Sequence, residues 1–308
     1  MMALMWLFYA FSGPVLWAAS THVDKYLVDT YFKHASTAVL MAFTSLIDLL
    51  ALPIIWYFFP GVFALPYLTM AIMMISGALY MGAMLFYLQA IQTEEASVVA
   101  PLFQASVLWG AFLAFVVLGE TLSYPELFGA VLIVLGALLL SVDPSFRFKK
   151  MKLGLILTML AATFTLALSS VIFKFFAIEG EFWSTTFWTY AGTVIVGAVL
   201  LATGGRWQQF LHLFRKSPGA MVGVNAANEL INLGGGLGVR YALILAPVSL
   251  VQAVSSTTTL FVFLIGILLT AFFPKLGRED LSARNLIQKG AAALLVAVGI
   301  VLIDHNTF

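Results

Sequence analysis

Asn225–Tyr241 reads NAANELINLGGGLGVRY, and the fold turns on whether this stretch is a glycine-rich loop or a membrane helix. As a loop it would suggest a phosphate-binding turn of a soluble nucleotide domain. The spacing opposes that reading, because G-x-G-x-x-G starting at Gly234 needs glycine where Val239 stands. No soluble strand precedes it, and no acidic residue follows at the required distance. As a helix turning 100° per residue, it gathers Asn225, Asn228, Glu229, Asn232, Gly235, Gly236 and Arg240 within about 140°. Leu230, Leu233, Leu237 and Tyr241 fall outside that arc. One polar face is therefore set into a helix that is otherwise apolar.

The rest of the chain supplies an apolar medium for that helix. Of 308 residues, 62% are hydrophobic and 9% charged, where a soluble domain carries about a quarter charged residues. The composition is that of an integral membrane protein. A net charge of +1 excludes a broad basic footprint for nucleic acid. With no cysteine, disulfides, thiolate metal sites and cysteine nucleophiles are excluded. The four histidines (His22, His34, His212, His305) are scattered, and neither H-E-x-x-H nor G-x-S-x-G occurs. These residues support neither an enzyme nor a metal or cofactor site. The apolar start MMALMWLFYAFSGPVLWA reads as a first spanning helix and not as a removed signal.

About 20 apolar residues cross a bilayer core, and ten segments reach that length: 4–27, 36–58, 65–90, 96–118, 124–142, 153–177, 184–204, 218–245, 247–272 and 286–303. We number them spans one to ten. The basic linker DPSFRFKKMK (143–152) divides them into residues 1–142 and 153–308. The two parts resemble each other in order. AFSGPVLWAASTHVDKYLV (10–28) lies over MLAATFTLALSSVIFKFFA (159–177), which pairs Ser20 with Ser169 and Lys25 with Lys174. STAVLMAFT corresponds to STTFWTYAG, and FGAVLIVLGALLL to KGAAALLVAVGIVLI. A repeat of five crossings places its second copy upside down, so the expected architecture is all-α, ten transmembrane helices in two inverted five-helix repeats. Thirteen of the fifteen basic residues fall in the loops after spans 1, 3, 5, 7 and 9 or in the span ends that border them. The positive-inside rule then predicts those loops in the cytoplasm and both termini outside.

The region ASVVAPLFQASVLWGAFLAFVVLGETLSYPELFGAVLIVLGALLL (96–140) resembles the signature of EamA-type transporters in the drug/metabolite transporter superfamily. The matching residues are Pro101, Gly119, Glu120, Gly129, Ala130 and Gly136. The second copy departs from the pattern: AFFPKLGRED (271–280) replaces the compact Gly-Glu-Thr, and no proline matches Pro101. The resemblance implies two EamA-like repeats around a central cavity, alternating access, and export in preference to uptake. It also implies a bacterial inner-membrane protein, monomer or homodimer, whose partners are the lipid bilayer and a small-molecule substrate.

Ionisable groups at mid-membrane depth point to function because they are costly against lipid. Glu229 and Asn232 lie near the centre of span eight, with Asn225 and Asn228 on the same face. Asp48 lies deep in span two on a face with Thr37, Met41 and Thr44. Glu229 and Asp48 are the candidate coupling groups, with H⁺ as the candidate ion. The expected substrate-binding set is Glu229, Asn228, Asn232, Asn225, Trp17, Ser20, Tyr80, Gln104, Gln252 and Ser256. In span one Gly13, Trp17, Ser20 and Asp24 share a face beside Pro14, where a kink is expected. Gln252, Ser255, Ser256 and Thr259 form a polar patch expected to face Gln104. Lys174, Arg240 and Lys25 are gate candidates, although Arg240 and the Asp24–Lys25 pair are read first as groups snorkelling to the surface. The glycine run is expected either to admit a neighbouring backbone or to unwind the helix beside a ligand. Together these features predict a secondary transporter for a small organic metabolite, amino-acid-like or amphipathic and cationic. A sensor or assembly protein without transport, and an uptake carrier, are the alternatives.

Overall fold

The computed structural model describes residues 2–30, 36–93, 99, 102–141, 153–178, 182–272 and 282–304. All regular structure among them is helical. The helices are α1 (Met2–Thr30), α2 (Thr37–Phe58), α3 (Tyr67–Thr93), α4 (Ala105–Leu113), α5 (Tyr124–Ser141), α6 (Leu153–Ala177), α7 (Phe182–Ala202), α8 (Arg206–Lys216), α9 (Ala226–Leu245), α10 (Val248–Ser255), α11 (Thr258–Phe272) and α12 (Ala283–Asp304). The linker 143–152, Pro101 and most of the 271–280 loop lie outside the described residues, as do the basic residues they carry.

Among the described residues six stretches are long and apolar enough to cross a membrane: Thr37–Phe58, Tyr67–Ala90, Leu153–Ala177, Phe182–Ala202, Val248–Phe272 and Asn285–Ile303. Ala105–Leu118 and Tyr124–Leu140 are apolar but shorter. The protein is a multi-pass integral membrane protein. Helix α1 has 29 residues and α9 has 20, so both have the length, but they also carry the interior polar groups. Each of the ten expected spans coincides with helical structure, and α8 is an additional helix that the span pattern does not contain.

Local chemistry accounts for several helix ends. Ser36 caps α2, its hydroxyl accepting the Val39 N–H at 3.4 Å from an extended backbone. Ser123 and Glu126 form a capping box at α5: the Ser123 N–H donates to the Glu126 carboxylate at 2.7 Å. A π-helical turn, Ala114–Leu118, follows α4 and stops at Gly119, whose φ of 66° suits glycine. Pro247 ends the path of α9, since it offers no N–H and its ring blocks the preceding turn. Between α10 and α11 the chain bends at Ser256 and Thr257, whose hydroxyls donate to Ala253 O at 2.6 Å and Val254 O at 2.7 Å.

The helices pair across the two halves. α1 lies along α9, α3 along α6, α2 along α7, and α5 along α12. α4 packs on α6 and α10, and α1 on α11. Where α3 meets α7 the backbones touch: a Cβ on Gly77 would strike the Thr189 carbonyl, and one on Gly192 the Met74 carbonyl. The largest buried cluster runs from Trp6 and Ala10 of α1 through Val107 of α4 and Val171 of α6 to Leu250 and Val254 of α10.

The run GGGLG is continuous α-helix, so of the two expected roles it performs close packing. A Cβ at Gly235 would sit 2.9 Å from Trp17 Nε1 and 3.3 Å from Gly13 Cα, whereas one at Gly236 would have no atom within 4 Å. The irregular backbone occurs about two and a half turns earlier, in a π-helical segment at Ala220–Asn225. These neighbours should therefore respond oppositely. Gly236→Ala gains helix propensity and stabilises by up to about 1 kcal/mol; Gly235→Ala crowds α1 and destabilises by about 1–3 kcal/mol. Thermal unfolding in detergent checks the opposite signs.

Candidate functional site

Helix α9 directs its polar face at α1 and α2. Asn228 is 1% exposed and Glu229 7%, whereas Leu230 is 57% exposed, so the helix is oriented as its periodicity requires. The Asn228 side-chain amide donates to the Asp24 carboxylate at 2.6 Å, and the Ser20 hydroxyl donates to the other oxygen of Asp24 at 3.4 Å. Thr44 of α2 and Asn232 one turn along stand beside the Glu229 carboxylate. Trp17 Nε1 points to the Asn232 carbonyl at 3.4 Å, closing α1 against α9. Asn225, 5% exposed, stands where the π-helical turn passes into α9.

Two acceptor atoms in this cluster are buried without a partner, Glu229 Oε2 and Asn228 Oδ1. Buried polar groups are normally satisfied. The adjacent pair thus presents free acceptor capacity of the kind an ammonium, a proton or a water would take up.

A second polar group lies deeper along α2. The Thr193 hydroxyl of α7 donates to the Asp48 carboxylate at 2.5 Å, so Asp48 satisfies a neighbouring hydroxyl. Asp48 lies within electrostatic range of both Glu229 and Arg240, and Tyr80 of α3 within range of all three. The expectation that Arg240 snorkels to the surface is corrected. Its guanidinium lies over the rings of Tyr190 (4.5 Å to the centroid) and Phe173 (5.3 Å), and one of its terminal nitrogens is buried without a partner. Cation–π contact with two rings holds the charge inside.

Asp24 and Lys25 also part company: Asp24 turns to Asn228 and Lys25 is exposed. The polar patch of α10 is corrected as well. At the α10–α11 bend Ser256 and Thr259 donate to carbonyls three residues back, Ala253 O at 2.6 Å and Ser256 O at 3.0 Å. The Gln252 side chain lies against Gly110 of α4, with both amide atoms buried and unpartnered. Gln104 is 8% exposed at the start of α4.

Lys174 is engaged at the opposite end of the helices. Its ammonium forms an ion pair with Glu120 and donates to the Ala246 carbonyl. The other Glu120 oxygen accepts the Val248 N–H at 2.8 Å. One ion pair therefore ties the turn after α4, the end of α6 and the α9–α10 joint. Its side chains are 7% and 14% exposed.

Several of these partners are absent from the sequence reading: Thr44 and Thr193 as hydroxyl donors, Asp24 as the Asn228 partner, Tyr190 and Phe173 around Arg240, and Glu120 opposite Lys174. Span seven held a signal for one of them, since Thr186, Thr189 and Thr193 recur at i, i+3 and i+7 and are all buried.

Removing one partner of a buried ion pair strands the other charge and costs about 3–5 kcal/mol. Glu120→Gln and Lys174→Met should each destabilise by roughly that amount. The double variant should lose markedly less than the sum, because no charge is stranded. A double-mutant cycle by thermal unfolding in detergent measures the coupling.

Comparison with known proteins adds a family likeness. No curated protein matches the chain. A solved structure, described only as a crystal structure of a protein, is 16% identical and aligns with a TM-score of 0.63 over 96% of this chain and 95% of that one. That likeness concerns the fold alone. The model of the EamA-like transporter family matches residues 4–142, which include the Gly119-Glu120 turn and the glycine-rich α5. Over those residues, less than half of the chain, the sequence is similar to EamA-like transporters, in keeping with its resemblance to the drug/metabolite transporter superfamily.

Proposed function

We propose that this protein is a secondary active transporter that moves a small organic metabolite by alternating access. The observation that carries this reading is the buried pair Asn228–Glu229, which keeps free acceptor atoms beside Asp24 and Asp48. Three carboxylates, amides and the rings of Trp17 and Tyr80 suit an amino-acid-like or amphipathic cationic substrate. Asn225, Asn232, Ser20, Gln104 and Gln252 complete the proposed binding set; Ser256 contributes through its place at the α10–α11 bend. The substrate is bound by side chains alone, without cofactor or metal.

Alternating access needs two related halves, and the packing supports an inverted repeat. Exchanging spans one to five with spans six to ten turns the α1–α9 contact into the α3–α6 contact. It turns α4–α6 into the contact of α1 with α10 and α11, and leaves α2–α7 and α5–α12 unchanged. A central cavity would lie between the halves, with Lys174–Glu120 as the gate at one end and Lys25 near the other. Asp24 is exposed at the end away from the Lys174 ion pair. The protein exports its substrate from a bacterial inner membrane, with the basic loops in the cytoplasm and both termini outside, as monomer or homodimer.

Coupling follows from the chemistry of Glu229. A carboxylate with one oxygen unpartnered in a buried position can exchange charge balance between a proton and a cationic substrate group. The two then compete for one site, as in antiport, and Asp48 modulates that exchange. In proteoliposomes under a pH gradient, Glu229→Gln should abolish the pH dependence of transport. Asp48→Asn should shift it while leaving transport measurable. A thermal-shift screen of purified protein against metabolite classes identifies the ligand, and its stabilisation should vanish in Glu229→Gln. PH-dependent transport that survives Glu229→Gln overturns the coupling role; unchanged ligand stabilisation in that variant overturns the site.

A further inference from the structure

Helix α8, RWQQFLHLFRK (Arg206–Lys216), differs from every span around it. On a helical wheel Trp207, Phe210, Leu211 and Phe214 occupy about 100°, and Gln208, His212, Arg215 and Lys216 the side opposite the protein contact. The segment has no acidic residue. Three directions around its axis meet three different environments. Phe210 is buried and packs on Phe43 of α2 at a ring separation of 4.9 Å, and Gln209 accepts from the Ser36 hydroxyl at 3.1 Å. The apolar edge remains open, with Trp207 52% and Phe214 39% exposed. Arg215, Lys216 and His212 are exposed on the other edge. Arg206 is committed to the protein, donating to Leu200 O and Thr203 Oγ1.

The membrane frame fixes what meets those edges. α8 joins the end of α7 to the start of the α9 segment, so it lies where two crossing helices leave the bilayer. A short helix there with an apolar edge containing Trp and a basic edge is the form of an in-plane interfacial helix. We infer that α8 lies in the headgroup plane and binds anionic phospholipid through Arg215 and Lys216, with Trp207 and Phe214 among the upper acyl carbons. Charge complementarity selects the lipid, because an uncharged surface leaves the two exposed cations without a counter-charge. The same helix braces α2 through Phe43 and Ser36 and leads directly into α9, so the lipid rests beside the two helices that carry Thr44 and Glu229.

The test uses the full chain in phosphatidylcholine nanodiscs containing brominated phosphatidylglycerol or, for comparison, brominated phosphatidylcholine. The share of tryptophan quenching lost in Trp207→Phe reports on α8. That share should be quenched more strongly by the brominated phosphatidylglycerol at equal mole fraction. Arg215→Gln/Lys216→Gln should remove the preference, since two basic groups at an anionic surface contribute about thirtyfold in affinity. Both residues are exposed, so the variant should keep its elution profile and melting temperature. Equal quenching by the two lipids, a preference unchanged in the double variant, or no quenching of the Trp207 share by either lipid overturns the inference.

Discussion

The Lys174–Glu120 ion pair is the contact on which the arrangement of the helices depends. Glu120 lies outside the helices, just beyond a left-handed glycine that ends the π-helical turn after α4. From there it reaches Lys174 at the end of α6 and the Val248 N–H at the start of α10. Lys174 in turn takes the carbonyl of Ala246, whose extended backbone leaves it outside both α9 and α10. Two charges and two orphan backbone groups from three parts of the chain satisfy one another in a buried place. Each would be costly there alone. Gly119 and Glu120, part of the EamA-like signature, thus act as a structural joint between the halves.

The halves differ where the candidate site lies. Under the proposed inverted repeat the α3–α7 contact corresponds to the α9–α2 contact. In the first, Gly77 and Gly192 let carbonyls and backbones touch. In the second, Thr44 of α2 stands beside Glu229 of α9. One interface is sealed by shape and its counterpart is held by polar groups with acceptor capacity to spare. A backbone-to-backbone contact leaves no room for a guest, while a contact between side chains does. The polarity of α9 is therefore set against the looser of the two interfaces.

Much of the frame was legible because a bilayer imposes a length and a polarity on every crossing segment. Span six was read at 153–177, the bounds of α6, and the others agree to within a few residues except where helices bend or unwind. The polar face of span eight was legible for the same reason: a Glu and three Asn at helical spacing cannot face lipid. Helix α8 escaped the pattern because an interfacial helix needs neither the length nor the hydrophobicity of a span. The fate of Arg240 escaped it because the rings that hold it, Tyr190 and Phe173, belong to other helices.

By itself the sequence determined that the chain lives in a membrane, that its segments are helices, and which face of each polar helix turns inward. Those follow from burial periodicity and the cost of charge in hydrocarbon, which act residue by residue. Tertiary structure alone decided who meets whom: Asn228 with Asp24, Glu229 with Thr44, Asp48 with Thr193, Lys174 with Glu120. It also decided that the glycines of NAANELINLGGGLGVRY pack a helix instead of breaking it. Partners distant in sequence are brought together by packing, and nothing in local spacing encodes the neighbour.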